Sequence, residues 1–201
     1  MIHACHKDTL NLPKIKGTFG YTPQYDVEFI AFWASVTGGN YLEIGCNNGF
    51  TLKSVAEQCP GKACIGLDWS SNSEIWDTQN TEVPPAVGSA ALHLKNVRIY
   101  DEDALTIDIW DFNYGCVFLD AEHSYNWQVK MFQKLWNENN YRDWILIVHD
   151  VPQPFKGSSI THIETKAFLE YVSLMFPVIY WHGTNCATVF VSRRGSEKSV
   201  R

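Results

Sequence analysis

Residues 41–50, YLEIGCNNGF, carry the pattern on which the prediction of the fold depends. A short and mostly apolar run ends at Gly45, Gly49 follows, and residues 51–58 then repeat apolar side chains at helical spacing. Glycine suits sharp turns because it adopts backbone conformations that are closed to other residues. The stretch therefore predicts a buried strand, a glycine turn and a helix, which is the repeating unit of an α/β protein.

The same alternation continues along the rest of the chain. Apolar runs predict further strands at 63–67, 96–100, 116–119, 144–148, 178–181 and 188–191, and helical periodicity predicts helices from about residue 25 to 36 and over 86–94, 125–137 and 160–176. Continuous apolar strands that alternate with helices are typical of a parallel sheet covered on both faces. The connection between the last two strands is too short for a parallel crossover, so one strand is expected to run antiparallel.

Length and composition predict one domain over residues 1–201, with 1–20 as an N-terminal extension and 194–201 as a disordered tail. Hydrophobic residues make up 45% of the chain and charged residues 19%, which is enough apolar material for a buried core. The formal net charge of −6 opposes binding to a phosphate backbone. We therefore expect no nucleic-acid partner.

The sequence also bears on the compartment. No apolar run approaches the roughly 18 residues of a membrane span, and residues 1–10 lack the apolar core of a signal peptide. The six cysteines form no CxxC pair and no zinc-finger spacing, so we expect reduced thiols. These features predict a cytoplasmic protein without membrane contact, and they leave a homodimer open.

Gly45 and four carboxylates, with one histidine, lie at or just beyond successive predicted strand ends: Asp68, Asp103, Asp120 and His149–Asp150. Each acidic strand end, taken alone, is most often a solvated boundary. Ligands of open α/β sheets bind outside the carboxyl ends of the strands, so four acidic ends in succession favour a ligand site.

The glycine turn indicates what kind of ligand to expect. Its spacing, G-x-x-x-G, matches neither the dinucleotide fingerprint nor the P-loop, so a nucleoside without phosphates fits it better. Asp68 stands where a carboxylate accepts hydrogen bonds from ribose hydroxyls. Asp103 is placed either to accept from an adenine amino group or to cap a helix.

Several of these segments resemble one enzyme family. YLEIGCNNGF resembles motif I of class I S-adenosylmethionine-dependent methyltransferases, IGLD at 65–68 is similar to their ribose-binding strand end, and DA at 103–104 to their adenine contact. VFLDAEHSY at 117–125 and WILIVHDV at 144–151 resemble a subgroup with a D-x-x-H-S-Y signature and a His-Asp strand end. The resemblance implies a Rossmann-like, seven-stranded, mostly parallel sheet with one antiparallel strand and helices on both faces.

The resemblance also implies which residues hold S-adenosylmethionine. Glu43, Gly45 and Gly49 would surround its methionine part, Asp68 its ribose, and Asp103 its adenine amino group. Trp69, which directly follows Asp68, is placed to stack near adenine. The full cofactor set that we predict is Glu43, Gly45, Asn47, Gly49, Asp68, Trp69, Asp103, Ala104 and Asp120. Two departures from the family pattern are Asn47–Asn48, where small or acidic residues are common, and residues 141–143, where Gly-Gly is usual.

Methyl transfer to a hydroxyl requires help in removing its proton. His123 or His149, together with Asp120, is a candidate for this catalytic role, because histidine titrates near neutral pH. Alternatively Asp120, His149 and Asp150 hold a divalent ion, and the histidine among them weakens the case for magnesium and leaves a softer metal open. In a third interpretation His123 caps the next helix and the other two residues fix the loop.

The sequence as a whole favours an S-adenosylmethionine-dependent methyltransferase that acts on a small-molecule acceptor, at oxygen. Two alternatives from other classes stay open at this point. One is a metal-dependent hydrolase that uses Asp120, His123, His149 and Asp150. The other is a non-catalytic nucleoside-binding module on the same fold.

Overall fold

The computed structural model describes residues 1–17, 20, 22–69, 86–108, 113–151 and 160–193. The strands are β1 Ile2–His6, β2 Asn40–Ile44, β3 Cys64–Asp68, β4 Val97–Asp101, β5 Tyr114–Leu119, β6 Asp143–Val148, β7 Val178–His182 and β8 Ala187–Ser192. The helices are α1 Gln24–Val36, α2 Phe50–Gln58, α3 Tyr125–Glu138 and α4 Ile160–Ser173.

The strands form one sheet in the order β1-β7-β8-β6-β5-β2-β3-β4. Every pair of neighbours is parallel except those that involve β8, which runs antiparallel to both β6 and β7. The predicted α/β fold with a mostly parallel sheet and one antiparallel strand is confirmed.

Within the described residues the sheet has eight strands rather than the predicted seven. β1 adds to the edge of the sheet beside β7, in a parallel register from Ile2 opposite Val178 to His6 opposite His182. Its side chains are mostly exposed, so the segment lacks the apolar run that marks the other strands. Main-chain hydrogen bonds at an edge leave no such signature, and part of the N-terminal extension therefore belongs to the sheet.

Alternation along the strands supplies two apolar layers, one on each face of the sheet. On one face Tyr41 and Phe118 pack with residues of α1 and α2. On the other face Leu42 and Val117 pack with residues of α3 and α4. Burying both faces of the central strands leaves their carboxyl ends as the place where polar side chains gather.

The helix predicted over 86–94 is wrong. Successive turns replace it, with N–H groups of Ser89, Ala91 and Leu94 each donating to the carbonyl three residues earlier. The segment bonds instead to the glycine turn, since the N–H of Gly88 donates to the carbonyl of Asn47 at 2.7 Å. Residues 70–85, which precede it, lie outside the described residues.

Other expectations concern the chain ends, the cysteines and the membrane. The predicted tail at 194–201 lies outside the described residues. All six cysteines are unpaired. None of the helices in the described ranges is long and apolar enough to cross a membrane.

Candidate functional site

A cavity of about 750 Å³ opens at the carboxyl ends of β2, β3 and β5. Its lining brings together every residue of the predicted cofactor set, namely Glu43, Gly45, Asn47, Gly49, Asp68, Trp69, Asp103, Ala104 and Asp120. Glu102, Glu122 and Trp127, which the predicted set does not include, line it as well. His123 also lines the cavity, whereas His149 and Asp150 stand beside it.

The loop between β2 and α2 follows a path that only a few residue types allow. Gly45 and Gly49 have φ of 90° and 81°, and Asn47 has φ of 46°. A Cβ atom on Gly45 would lie 2.1 Å from the carbonyl oxygen of Asp120. A Cβ on Gly49 would lie 2.8 Å from the Cα of Gly88. The glycines are therefore required by the close approach of neighbouring backbone as well as by the turn itself.

Asp68 holds the glycine turn from the end of β3. Its Oδ2 accepts the N–H of Asn47 at 2.6 Å, and its Oδ1 accepts the N–H of Trp69 at 2.7 Å. A carboxylate oxygen has two lone-pair directions, so each oxygen retains one for a further donor. The carboxylate is thus fixed in place and still able to accept from a ligand in the cavity.

Asp103 and its neighbours form another wall of the cavity. The Oδ1 of Asp103 accepts the N–H of Leu105 at 2.9 Å, so the side chain closes a turn over residues 103–106. No helix follows within residues 103–108, so the alternative that Asp103 caps a helix is wrong. Ala104 follows it in the lining. Trp69 lies at the end of β3 with 43% of its surface exposed, which leaves its ring available to a flat ligand.

Glu43 is the most deeply buried of these acids, with 2% of its surface exposed. The hydroxyl of Tyr41 donates to its Oε2 at 2.8 Å. Burial raises the pKa of Glu43 to about 8, the Tyr41 hydrogen bond opposes this rise, and the nearby Asp120 and Asp68 carboxylates add to it. In the free protein the Glu43 carboxyl is therefore largely protonated at neutral pH.

His149 follows β6 and lies between two carboxylates. Its Nδ1 is 3.1 Å from Oδ1 of Asp120, and its Nε2 is 3.2 Å from Oδ2 of Asp26. Burial of the ring opposes its charge, yet Asp120 and Asp26 hold the pKa of His149 well above its usual value. Because ionised carboxylates only accept hydrogen bonds, both ring nitrogens carry protons in the metal-free protein.

His123 reaches the same group of acids from the loop before α3. Its Nε2 is 3.4 Å from Oδ2 of Asp150 and 3.9 Å from Oδ1 of Asp120. The helix that follows is capped by other residues, since the N–H groups of Ser124 and Tyr125 donate to the carboxylates of Glu122 and Glu164. His123 is thus free of the capping role that one interpretation of the sequence gave it.

Two residues of this site, Asp26 and Asn185, were not predicted from the sequence. Asp26 lies on α1 and is fully buried, and its oxygens accept the backbone N–H and the side-chain Nδ2 of Asn185, both at 2.9 Å. Asn185 belongs to the turn between β7 and β8. The sequence does contain one signal for Asp26. Its carboxylate lies on the apolar helix face that carries Phe29 and Ile30, and a charge buried there without a partner would be costly.

Comparison with solved structures identifies neighbours of the same fold. The cofactor-bound protein Rv0187 from MTB superposes with a TM-score of 0.62 at 16% identity, over 93% of this chain and 86% of that one. The small RNA methyltransferase HEN1 superposes with a TM-score of 0.61 at 14% identity, over 90% of this chain and 27% of that one. The SAH-bound methyltransferase PaMTH1 of Podospora anserina superposes with a TM-score of 0.60 at 13% identity, over 86% of this chain and 80% of that one.

At these identities the likeness establishes a Rossmann-like fold that is shared with methyltransferases, and no more. No protein-family model and no curated sequence matches the chain.

Proposed function

We propose that this protein is an S-adenosylmethionine-dependent methyltransferase that acts on the hydroxyl group of a small molecule. One observation carries the proposal: all nine residues predicted from the sequence to bind the cofactor line a single cavity of about 750 Å³. The neighbour from Podospora anserina, whose fold is similar, binds SAH. The motifs and the geometry thus agree on one ligand class.

The chemistry of the cavity suits this ligand. A sulfonium cation is favoured near the Asp120 carboxylate, and its charge would promote ionisation of the buried Glu43 carboxyl at the end of the adjacent strand. The Asp68 carboxylate is held by two backbone N–H groups and keeps lone pairs for ribose hydroxyls. The exposed ring of Trp69 offers a stacking surface for adenine.

The bound cofactor supplies the methyl group: its S–CH3 bond breaks as the new O–CH3 bond forms, and sulfur departs as a neutral thioether. The acceptor's proton must go to a base at the cavity. His123 is our candidate, because it lines the cavity and its Nε2 lies 3.4 Å from the carboxylate of Asp150 and 3.9 Å from that of Asp120. His149 suits this role less well, because carboxylates face both of its nitrogens.

A divalent ion at Asp120, His149 and Asp150 is a second means of acidifying the acceptor. Ligand atoms of these three residues all lie within 4.8 Å of one another, so the donor set fits a metal. Such an ion would supply Lewis acidity beside the acceptor hydroxyl. The residues of the chain would orient it next to the cavity that contains His123.

Charge supports a small acceptor. The chain carries a net charge of −6, and Glu102, Asp103 and Glu122 add carboxylates to the rim of the cavity. A polyanion such as RNA would be repelled by this arrangement. A small neutral or cationic acceptor would not.

Isothermal calorimetry with SAH tests the cofactor site. We expect one site per chain, and Asp68→Ala should weaken binding at least about tenfold, because two charge-assisted hydrogen bonds are lost. Asp8→Ala, a change at an exposed acid far from the cavity, should bind as the wild type does. Absence of SAH binding by the folded wild type would refute the proposal and return the hydrolase to consideration.

Turnover is a separate measurement. Incubating the protein with S-adenosylmethionine and a panel of small hydroxylated compounds should release SAH only with an acceptor. Binding of SAH without turnover of any compound in the panel would favour the non-catalytic nucleoside-binding module over a methyltransferase. His123→Gln should lower the turnover number while SAH affinity stays unchanged.

A further inference from the structure

Asp26 is a buried carboxylate that the proposed methyl transfer does not use. None of its surface is exposed. Its Oδ1 accepts the N–H of Asn185, and its Oδ2 accepts the Nδ2 of Asn185, both at 2.9 Å. These two donors fix the position of the carboxylate from the β7–β8 turn, and its Oδ2 also contacts Nε2 of His149 at 3.2 Å.

The contact with Asp26 holds a proton on Nε2 of His149, because an ionised carboxylate has no proton to donate. Nδ1 faces carboxylates too, so it gives up its proton only to a cation that those carboxylates bind. The lone pair of the neutral ring is then on Nδ1, and Asp26 keeps the other proton on Nε2. Nδ1 faces Asp120 at 3.1 Å and Asp150 at 3.4 Å.

The spacing of these three groups matches the ligands of one ion. Nitrogen and oxygen ligands at about 2.1 Å from a metal stand roughly 3.0–3.4 Å from one another in octahedral or tetrahedral geometry. Both distances from Nδ1 of His149 fall in that range. A histidine whose other nitrogen donates to a carboxylate is the usual arrangement around a protein-bound transition metal.

We propose that Asp26 is the positioning residue of a transition-metal site, in which Nδ1 of His149 and the carboxylates of Asp120 and Asp150 bind Zn²⁺, Fe²⁺, Co²⁺ or Mn²⁺ in preference to Mg²⁺. The ion takes the place of the Nδ1 proton, which passes to solvent. The imidazole favours these metals, because Mg²⁺ selects oxygen ligands. Three ligands on one side leave coordination positions open for an acceptor oxygen.

A second triad, formed by Asp26, His149 and Cys186, is a weaker candidate for the metal. Both oxygens of Asp26 are occupied by N–H donors from Asn185. Asp26 therefore acts on the metal through His149.

The role of the ion in methyl transfer rests on the proposed function. Metal binding itself is tested without cofactor or acceptor. Full-length protein is treated with a chelator, dialysed and titrated with CoCl2 and with MgCl2, by calorimetry and by the visible absorption of Co²⁺. We expect one Co²⁺ site that binds at least about tenfold more tightly than Mg²⁺. Equal or tighter binding of Mg²⁺, or no Co²⁺ binding, would overturn the proposal.

Asp26→Asn tests the positioning role, and Glu28→Gln is its matched control. The Asn amide can donate to Nε2 and so shift the ring proton to Nδ1, and we expect Co²⁺ affinity to fall about 10–100-fold. Glu28 is a buried acid on the same helix that accepts from Ile15 and Gln24, so Glu28→Gln should retain wild-type Co²⁺ affinity. Wild-type affinity in Asp26→Asn would refute the positioning role.

Two further measurements keep the result interpretable. SAH binding by Asp26→Asn should be unchanged, which shows that the variant is folded, and a failure of SAH binding in the wild type concerns the proposed function alone. If Asp26→Asn does not fold, ring ¹⁵N NMR of the wild type with Zn²⁺ replaces it. That spectrum should show a proton on Nε2 of His149 and metal on Nδ1, and the reverse assignment would overturn the proposal.

Discussion

Among single residues that line the cavity, Glu43 is the acid with the least exposed surface. Its carboxyl is buried beneath the glycine turn, with Tyr41 as a hydrogen-bond donor, and burial raises its pKa to about 8. A carboxyl whose pKa is higher in the folded than in the unfolded state stabilises the fold at low pH, and that contribution is lost as the pH rises through the folded-state value. For Glu43 this loss of stability falls in the pH range between its ordinary pKa of 4.5 and its folded-state pKa of about 8.

This gives a prediction for the free protein. Glu43→Gln removes the titration and keeps an acceptor for Tyr41, so between about pH 5 and 9 its free energy of unfolding should fall less with rising pH than that of the wild type. The difference should reach a few kcal/mol, on the order set by a shift of this size. Urea denaturation at several pH values measures it. Parallel curves for the two proteins would show that Glu43 ionises normally in the folded state.

Predictability from the sequence differs among the site residues for a physical reason. Asp68 ends β3, Asp103 lies two residues beyond β4 and Asp120 directly follows β5. The parallel arrangement of those strands brings their ends to one edge. Asp26 comes from a helix on the face of the sheet, and its distance to His149 depends on how α1 packs. No local pattern encodes that packing.

At the level of elements, the approach of the β2–α2 loop to the end of β5 constrains the sequence most tightly. Gly45→Ala would place a methyl group 2.1 Å from the carbonyl oxygen of Asp120 at a φ of 90°. We expect a loss of about 3 kcal/mol in the free energy of unfolding, together with weaker SAH binding, because strain and overpacking add. Chemical denaturation and calorimetry on the same samples measure both.

Gly61→Ala is the control for this change. Gly61 lies in the loop after α2, and a Cβ there would meet nothing within 4 Å. The free energy of unfolding of Gly61→Ala should stay within about 1 kcal/mol of that of the wild type. Equal losses in the two variants would mean that glycine content, rather than the approach to Asp120, sets the stability.

Elements that pack apolar side chains against the core could be predicted, including β4, whose side chains are at most partly buried. In the described residues, β2 to β8 and the four helices appear as apolar periodicity. β1 is largely exposed, and its hydrogen bonds to β7 are made by the main chain. The sequence also predicts a helix over 86–94, yet hydrogen bonds to Asn47 and Asn48 hold that segment in another path.

For the whole molecule, the sign of the net charge bears on which class of acceptor the protein binds. One neighbour of similar fold is a small RNA methyltransferase, whereas this chain carries a net charge of −6. We predict no saturable binding of a short RNA duplex below about 100 μM at physiological salt, the weak end of non-specific binding. Fluorescence anisotropy of a labelled duplex measures it. Tight binding that weakens steeply with salt would contradict a small-molecule acceptor.

The order of strands has a consequence for biosynthesis. β8 stands between β6 and β7, and β1 pairs with β7 at the edge of the sheet, so residues 2–6 contact residues 178–182. The part of the sheet made of β4, β3, β2, β5 and β6 can assemble while the chain is still being synthesised, but β1 lacks its partner strand until residues 178–182 emerge. Pairings between such distant residues slow folding. The strand β1 must therefore wait for more than 170 further residues to leave the ribosome before it is incorporated.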